Sequence, residues 1–201
     1  MTELEALNML LRAIGQRAVV DIDSTLPSAE NARDTLNRIR GTAQGRGWWF
    51  NLDYNVVYTP DEVSGHIELP SQIRTVRTET SDIIKRGNKL YDRYNQTFIF
   101  TAPVCVVREQ RTVDWDDMPA DMQVYVAHRA AADFISDELE DAAKEERHNG
   151  LAGLALVEVK KQDLEANRYN VFNTPRVFMA RRGQRPYNRS SSSRFTGTPD
   201  K

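Results

Sequence analysis

The hydrophobic period changes twice along this chain, and those two changes restrict its fold more than any single motif. Up to Gln44, apolar residues recur at helical spacing. From Trp48 to Arg111 they fall into short β-branched or aromatic runs broken by Pro, Gly and Asn. After Met118-Pro119 the helical spacing returns. The order is helix–helix, strands, helix–helix, tail. Four helices therefore have to close one bundle-like core around a β-rich insertion, which is an α+β arrangement.

The local signals support this division. Thr2 and Glu5 form a capping-box pattern, Leu4, Leu7, Leu10, Leu11 and Ile14 share one face, and Gly15 follows as a stop. A second helix is predicted from an N-cap at Ser28 to about Gln44, with a small-residue stripe of Ala29, Ala32, Leu36, Ile39 and Ala43. Two such helices on a short link form an αα-hairpin. Gly87-Asn88, between Ile83-Ile84-Lys85 and Leu90-Tyr91, fits a type II′ hairpin. The insertion reads as a hairpin with a small sandwich or barrel. Val124, Ala127, Ala131, Phe134 and Ile135 place a third helix. A fourth, about 138–168, carries Leu151, Leu154, Ala155 and Leu164, and Asn149-Gly150 and Gly153 predict a break in it. The divisions are 1–47 plus 117–170 for the helical part, 48–116 for the insertion, and 171–201 for a flexible basic tail rich in Ser, Gly and Pro.

Charge separates the tail from the body. The chain of 201 residues has a net charge of −2, from 27 basic and 29 acidic residues. Within 176–201 lie Arg176, Arg181, Arg182, Arg185, Arg189, Arg194 and Lys201 against Asp200, seven to one, for a net +6. The remaining 20 basic and 28 acidic residues leave −8 on the rest. A basic tail on an acidic body is expected to meet something negative, either an acidic protein surface or a nucleic acid. Its arginines beside Tyr187 and Phe195 suit phosphate contact and base stacking, whereas the acidic body repels DNA. No apolar run reaches the roughly 20 residues that span a bilayer, and Glu3 and Glu5 stand where a signal peptide carries positive charge. The chain is thus expected to be neither secreted nor membrane-inserted.

Chemistry is sparsely signalled. The chain contains no HExxH, P-loop, GxSxG, GxGxxG after a strand, or Cys–His pair, so no cofactor, metal or catalytic residue is expected. Cys105, the single cysteine, reads as a small buried hydrophobe. His128 lies on the apolar face of the third helix and reads as a hydrogen-bonded structural histidine. Asp114, Asp116 and Asp117 precede that helix and read as partners for its free N–H groups and its dipole. The competing reading makes them, with nearby Glu residues, the acids of a cell-wall hydrolase.

The order of motifs resembles the tail tubular protein A family, the head-to-tail adaptors of short-tailed bacteriophages. "ALNMLLRAIG" looks like the family's opening helix. "NARDTLNRIRGTAQGRGWWFN" is similar to its second helix, which ends in a Gly-Trp-x-Phe-Asn signature at Gly47, Trp48, Phe50 and Asn51. "YTPDEVSGHIELPSQIRTV" resembles an extended segment with Pro60 and Pro70 in place. "KLYDRYNQTFIF" matches a Tyr-Asp pair at Tyr91 and Asp92, and "DMPADMQVYVAHRAAADF" looks like the start of the third helix. The likeness covers about residues 4–170. It departs after Ile14-Gly15, where Gln16-Arg17-Ala18-Val19 replaces a Glu-Pro-Pro-Val type sequence, and the basic tail matches no family pattern.

The resemblance implies a structural virion protein. Such a protein forms a ring of twelve subunits between the portal protein and the nozzle, which is a tail tubular protein B-like protein, with a tail fibre as a further contact. DNA passes through its channel without sequence-specific binding, and assembly takes place in the bacterial host cytoplasm. The signature positions Trp48 and Phe50 share a face if the chain runs extended there. With Tyr91 they are expected to be core anchors. Trp49, outside the signature, is expected to face a subunit or partner, as are Arg176, Arg181, Arg182, Arg185, Tyr187, Arg189, Arg194 and Phe195 of the tail.

Overall fold

A computed structural model describes residues 1–167. A compact unit spans Met1–Glu165 and a second unit begins at Ala166. Four helices and five strands make up the described residues, a mixed α and β chain. Helix α1 (Glu3–Ala13) carries the full capping box between Thr2 and Glu5. Helix α2 (Pro27–Gln44) starts one residue before the predicted cap. Pro27 occupies the first turn, where its missing N–H costs nothing, and Leu26 precedes it with no side-chain cap, so Ser28 is not the N-cap. Helix α3 (Ala120–Glu138) follows Pro119.

Helix α4 (Ala142–Ala166) is continuous through Asn149, Gly150 and Gly153, so the predicted break is absent. The small residues lie within one helix whose buried face is itself small: Ala152, Ala155 and Val159. Its leucines point elsewhere. Leu154 is 68% exposed and Leu164 69% exposed.

Helices α1, α2 and α3 pack on one another. Their core joins Leu7, Leu10 and Leu11 to Leu36, Ile39, Met122 and Phe134, with Val159 entering from α4. Trp48, Trp115 and Met118 complete it. Trp115 is anchored at both edges. Its indole N–H donates to the Met1 carbonyl (2.8 Å), and its own carbonyl accepts from the Gln123 side chain (2.9 Å).

The strands form two small antiparallel sheets. Strands β1 (Leu52–Tyr58) and β2 (Ile73–Thr78) flank β5 (Val104–Arg111), while β3 (Ile83–Arg86) and β4 (Lys89–Asp92) make a hairpin. Gly87 takes φ 62° and Asn88 keeps a negative φ, as a type II′ turn requires. The predicted strand through "HIELP" is reduced to isolated bridges at His66 and Glu68. A second apolar cluster of Ile67, Leu69, Ile73, Leu90 and Val104 sits among these strands. Cys105 is only half-buried, because it alternates with the inward Val104 and Val106 on β5. Beside it in the sheet, Glu109 is fully buried. It accepts from the Tyr58 hydroxyl (2.7 Å) and the Arg111 guanidinium (2.7 Å). Burial and the neighbouring carboxylate push the Tyr58 phenol up to about 12.

Between the two apolar clusters the connection is polar. Gln44, the last residue of α2, is fully buried. Its side chain donates to the Val113 carbonyl (3.0 Å) and accepts the Val113 N–H (2.8 Å), which mimics a strand pairing. Its carbonyl, beyond the last helical turn, accepts from the side chains of Asn51 (3.0 Å) and Gln110 (2.6 Å). Gly47 is required here on two counts. It sits at φ 77°, and a Cβ would meet Arg108 and Leu52 at 3.2 and 3.3 Å.

Replacing Gln44 with Ala strands the N–H and carbonyl of Val113 away from partners. It is expected to lower the stability by about 2–4 kcal/mol, read from urea unfolding. Trp48→Ala should cost about 3–5 kcal/mol in the same assay, and Trp49→Ala distinctly less. The reverse order would mean that Trp49 carries the packing.

Candidate functional site

The tryptophan pair sits where α2 meets the first sheet. The backbone is not extended there, so the alternation expected of Trp48, Trp49 and Phe50 does not apply. Trp49–Asn51 form a 3-10 turn. Asn51 drives it: its side-chain oxygen accepts the Trp48 N–H (2.7 Å) while its amide reaches back to Gln44. Trp48 lies 3% exposed in the helical core, its indole N–H on the Ala43 carbonyl (2.8 Å). Trp49 and Phe50 are both half-buried against that core and meet edge to face at 5.2 Å. The Trp49 N–H donates to Asp163 of α4 (3.0 Å), which ties the turn to the fourth helix. Tyr91 is half-buried on β4, with the Arg86 guanidinium 3.7 Å above its ring and Phe98 at 4.8 Å. Next to it, Asp92 accepts from the backbone of Asn95 and Tyr94, which holds its carboxyl below the usual carboxylate range. The Tyr-Asp pair thus closes the β4 turn.

Over Trp48 lies a groove of about 430 Å³ between α2, α3 and α4. Arg46 stands on the Trp48 ring at 5.1 Å. Arg38, Arg129 and Lys160 also reach the groove, and Tyr125 and Leu156 share its apolar floor. Its single carboxylate, Asp133, pairs with Arg38 (3.4 Å) and Arg129 (3.0 Å). The result is an apolar floor under a surplus of cations.

His128 of α3 and His148 of α4 face each other, Nδ1 to Nδ1, at 3.1 Å. Burial, with the neighbouring imidazole in second place, pushes His128 below the ordinary histidine range. Burial and then Arg147 do the same for His148. One N–H held between two neutral rings is what this geometry accommodates. The acids before α3 are placed otherwise than predicted. Asp114, Asp116 and Asp117 are exposed, and no side chain caps α3. Pro119 holds the cap position, which leaves Asp121 as the acid of the first turn. Among the described residues no group of three or more His, Cys, Asp or Glu is arranged around a metal position. Arg176, Arg181, Arg182, Arg185, Tyr187, Arg189, Arg194 and Phe195 lie outside the described residues.

The histidine pair makes stability depend on pH with a definite sign. Both folded values lie below the unfolded one, so the folded state binds fewer protons in the histidine range. The stabilisation is therefore present above that range and lost as pH falls through it. The urea midpoint is expected to drop between about pH 7.5 and about pH 5, and the drop should be smaller in His148→Gln.

The comparisons with known proteins agree with the motif order. A family model described as "Tail tubular protein" matches residues 4–193. "Tail tubular protein A" of Klebsiella phage KP34 is 34% identical over 143 residues, covering 69% of this chain and 74% of that relative. With a match spanning nearly all of its length, the chain belongs to the tail tubular protein family, the structural proteins of bacteriophage tails.

Proposed function

We propose that this tail protein is a ring-forming head-to-tail adaptor, joining a portal protein to a tubular nozzle and leaving a central channel for DNA during ejection. The family membership over residues 4–193 carries the reading. The exposed Leu154, Val157 and Leu164 of α4 support it, since a subunit that packs against neighbours needs apolar surface outside its own core. A ring uses heterologous contacts, one face of each subunit on a different face of the next. An acidic body suits a channel along which DNA slides without being gripped. Twelve subunits is the number expected of the ring, and a tail fibre is a further neighbour.

In this reading residues 1–47 and 117–170 form the helical ring-building part and 48–116 the β insertion. Trp48, Phe50 and Tyr91 are the anchors. Trp49 and the arginines of 176–201 are contact residues, the tail serving as a docking arm for an acidic protein surface. The charge difference between tail and body also supports a nucleic-acid-binding arm. DNA binding with steep salt dependence, lost on removing 176–201, would favour that reading. Loss of portal docking with the fold intact would favour the docking arm. The principal test is electron microscopy of the purified chain, alone and with portal and nozzle proteins. Closed rings are expected, and a strict monomer under every one of these conditions refutes the adaptor.

A further inference from the structure

The groove above Trp48 has a shape and charge that call for a particular occupant. Four cations reach it against one carboxylate, and Asp133 is shared between Arg38 and Arg129. Among the described residues Arg46 and Lys160 have no ion-pair partner. Beneath them the floor is apolar, formed by Ile39, Trp48 and Leu156. A ligand that uses both features has an apolar side chain ringed by carboxylates. A nucleic-acid backbone supplies the charge and leaves the floor unused. An acidic polypeptide segment with an exposed leucine supplies both.

The chain carries such a segment at the corner between α3 and α4. Leu139 is 44% exposed there, within Asp137-Glu138-Leu139-Glu140-Asp141. Glu140 turns the backbone at φ 53°, a conformation uncommon outside glycine. Asp141 is occupied within the chain, accepting the Lys144 N–H at the start of α4. Glu138 has one partner, the Asn31 amide (3.2 Å), and it lies on the surface. The ion pair of Asp137 with Arg38 spans 3.9 Å between two largely exposed side chains, a contact of small energy that another arrangement can replace.

We propose that the α3–α4 corner of one copy seats in the α2–α3–α4 groove of the next, with Leu139 on the apolar floor and the corner carboxylates against Arg46 and Lys160. The contact rests on the ring reading and specifies one of its surfaces. Groove and corner are different patches of the same subunit, so each copy offers its groove to one neighbour and its corner to the other. A heterologous contact of this kind propagates until it closes.

Charge reversal in the full-length chain tests it, with oligomer mass measured alone and with portal and nozzle proteins present. One variant combines Arg46→Glu with Lys160→Glu, and the other combines Glu138→Lys with Glu140→Lys. All four side chains are exposed, so unchanged melting is expected, and circular dichroism checks it. Each variant alone should self-associate at least tenfold more weakly than the parent. Mixing the two should restore rings of alternating copies, because a reversed groove then meets a reversed corner. Parent rings that survive either reversal overturn this interface and leave the adaptor reading standing. Loss of rings in the groove variant with no effect in the corner variant, or duplex DNA binding abolished by the groove variant alone, assigns the groove to another occupant and also overturns it. A parent that stays monomeric even with its tail partners removes the ring reading and this contact together.

Discussion

Gln44 is the interaction on which the rest of the architecture depends. A helix that ends against a sheet leaves carbonyls with no partner, and a sheet edge leaves N–H and carbonyl groups likewise. One buried glutamine resolves both. Its amide pairs with both backbone groups of Val113, and its own carbonyl collects the side chains of Asn51 and Gln110. Because the two apolar clusters are separate, their mutual placement is set by these directional bonds. Oily packing can slide, whereas four bonds converging on one residue define an angle. The Asn51 bonds also curl the chain into the 3-10 turn that sends Trp48 inward.

Family membership gives this geometry its purpose. A tail component is built to be one of several molecules in contact, and the surface of the helical unit reflects that. Cations crowd a groove, carboxylates crowd a corner, and leucines line the outer side of α4. None of these features is explained by the stability of the isolated subunit. The interior shows the opposite pattern, with Glu109 and Gln44 both fully partnered despite complete burial.

Much of the element order was legible in the sequence, because hydrophobic period and turn chemistry act locally. The capping box at Thr2–Glu5 and the Gly87-Asn88 turn were readable for that reason. Errors arose where tertiary context prevailed. Gly150 and Gly153 lie in a helix that the rest of the chain keeps continuous. The apolar residues of α4 were assigned to its core side, yet the alanines face in. Alternation through Trp48–Phe50 failed because Asn51 folds back on the preceding backbone, and no pattern announces that bond. The groove and the histidine pair were invisible for a simpler reason. Residues 38–48, 125–133 and 156–160 meet only in three dimensions, and His128 and His148 sit on different helices.

The modest inner face of α4 has a consequence for how the subunit holds together. Two alanines and a valine bury little apolar area, and much of the remaining attachment is polar: Asp163 on the Trp49 backbone, Gln162 on Asp121, and the imidazole pair. Such a helix can open locally at a free-energy cost well below that of global unfolding. Its outer leucines gain burial only from a neighbour. Order in the fourth helix and assembly of the tail then become one coupled equilibrium, in which each joined copy stiffens the copy beside it.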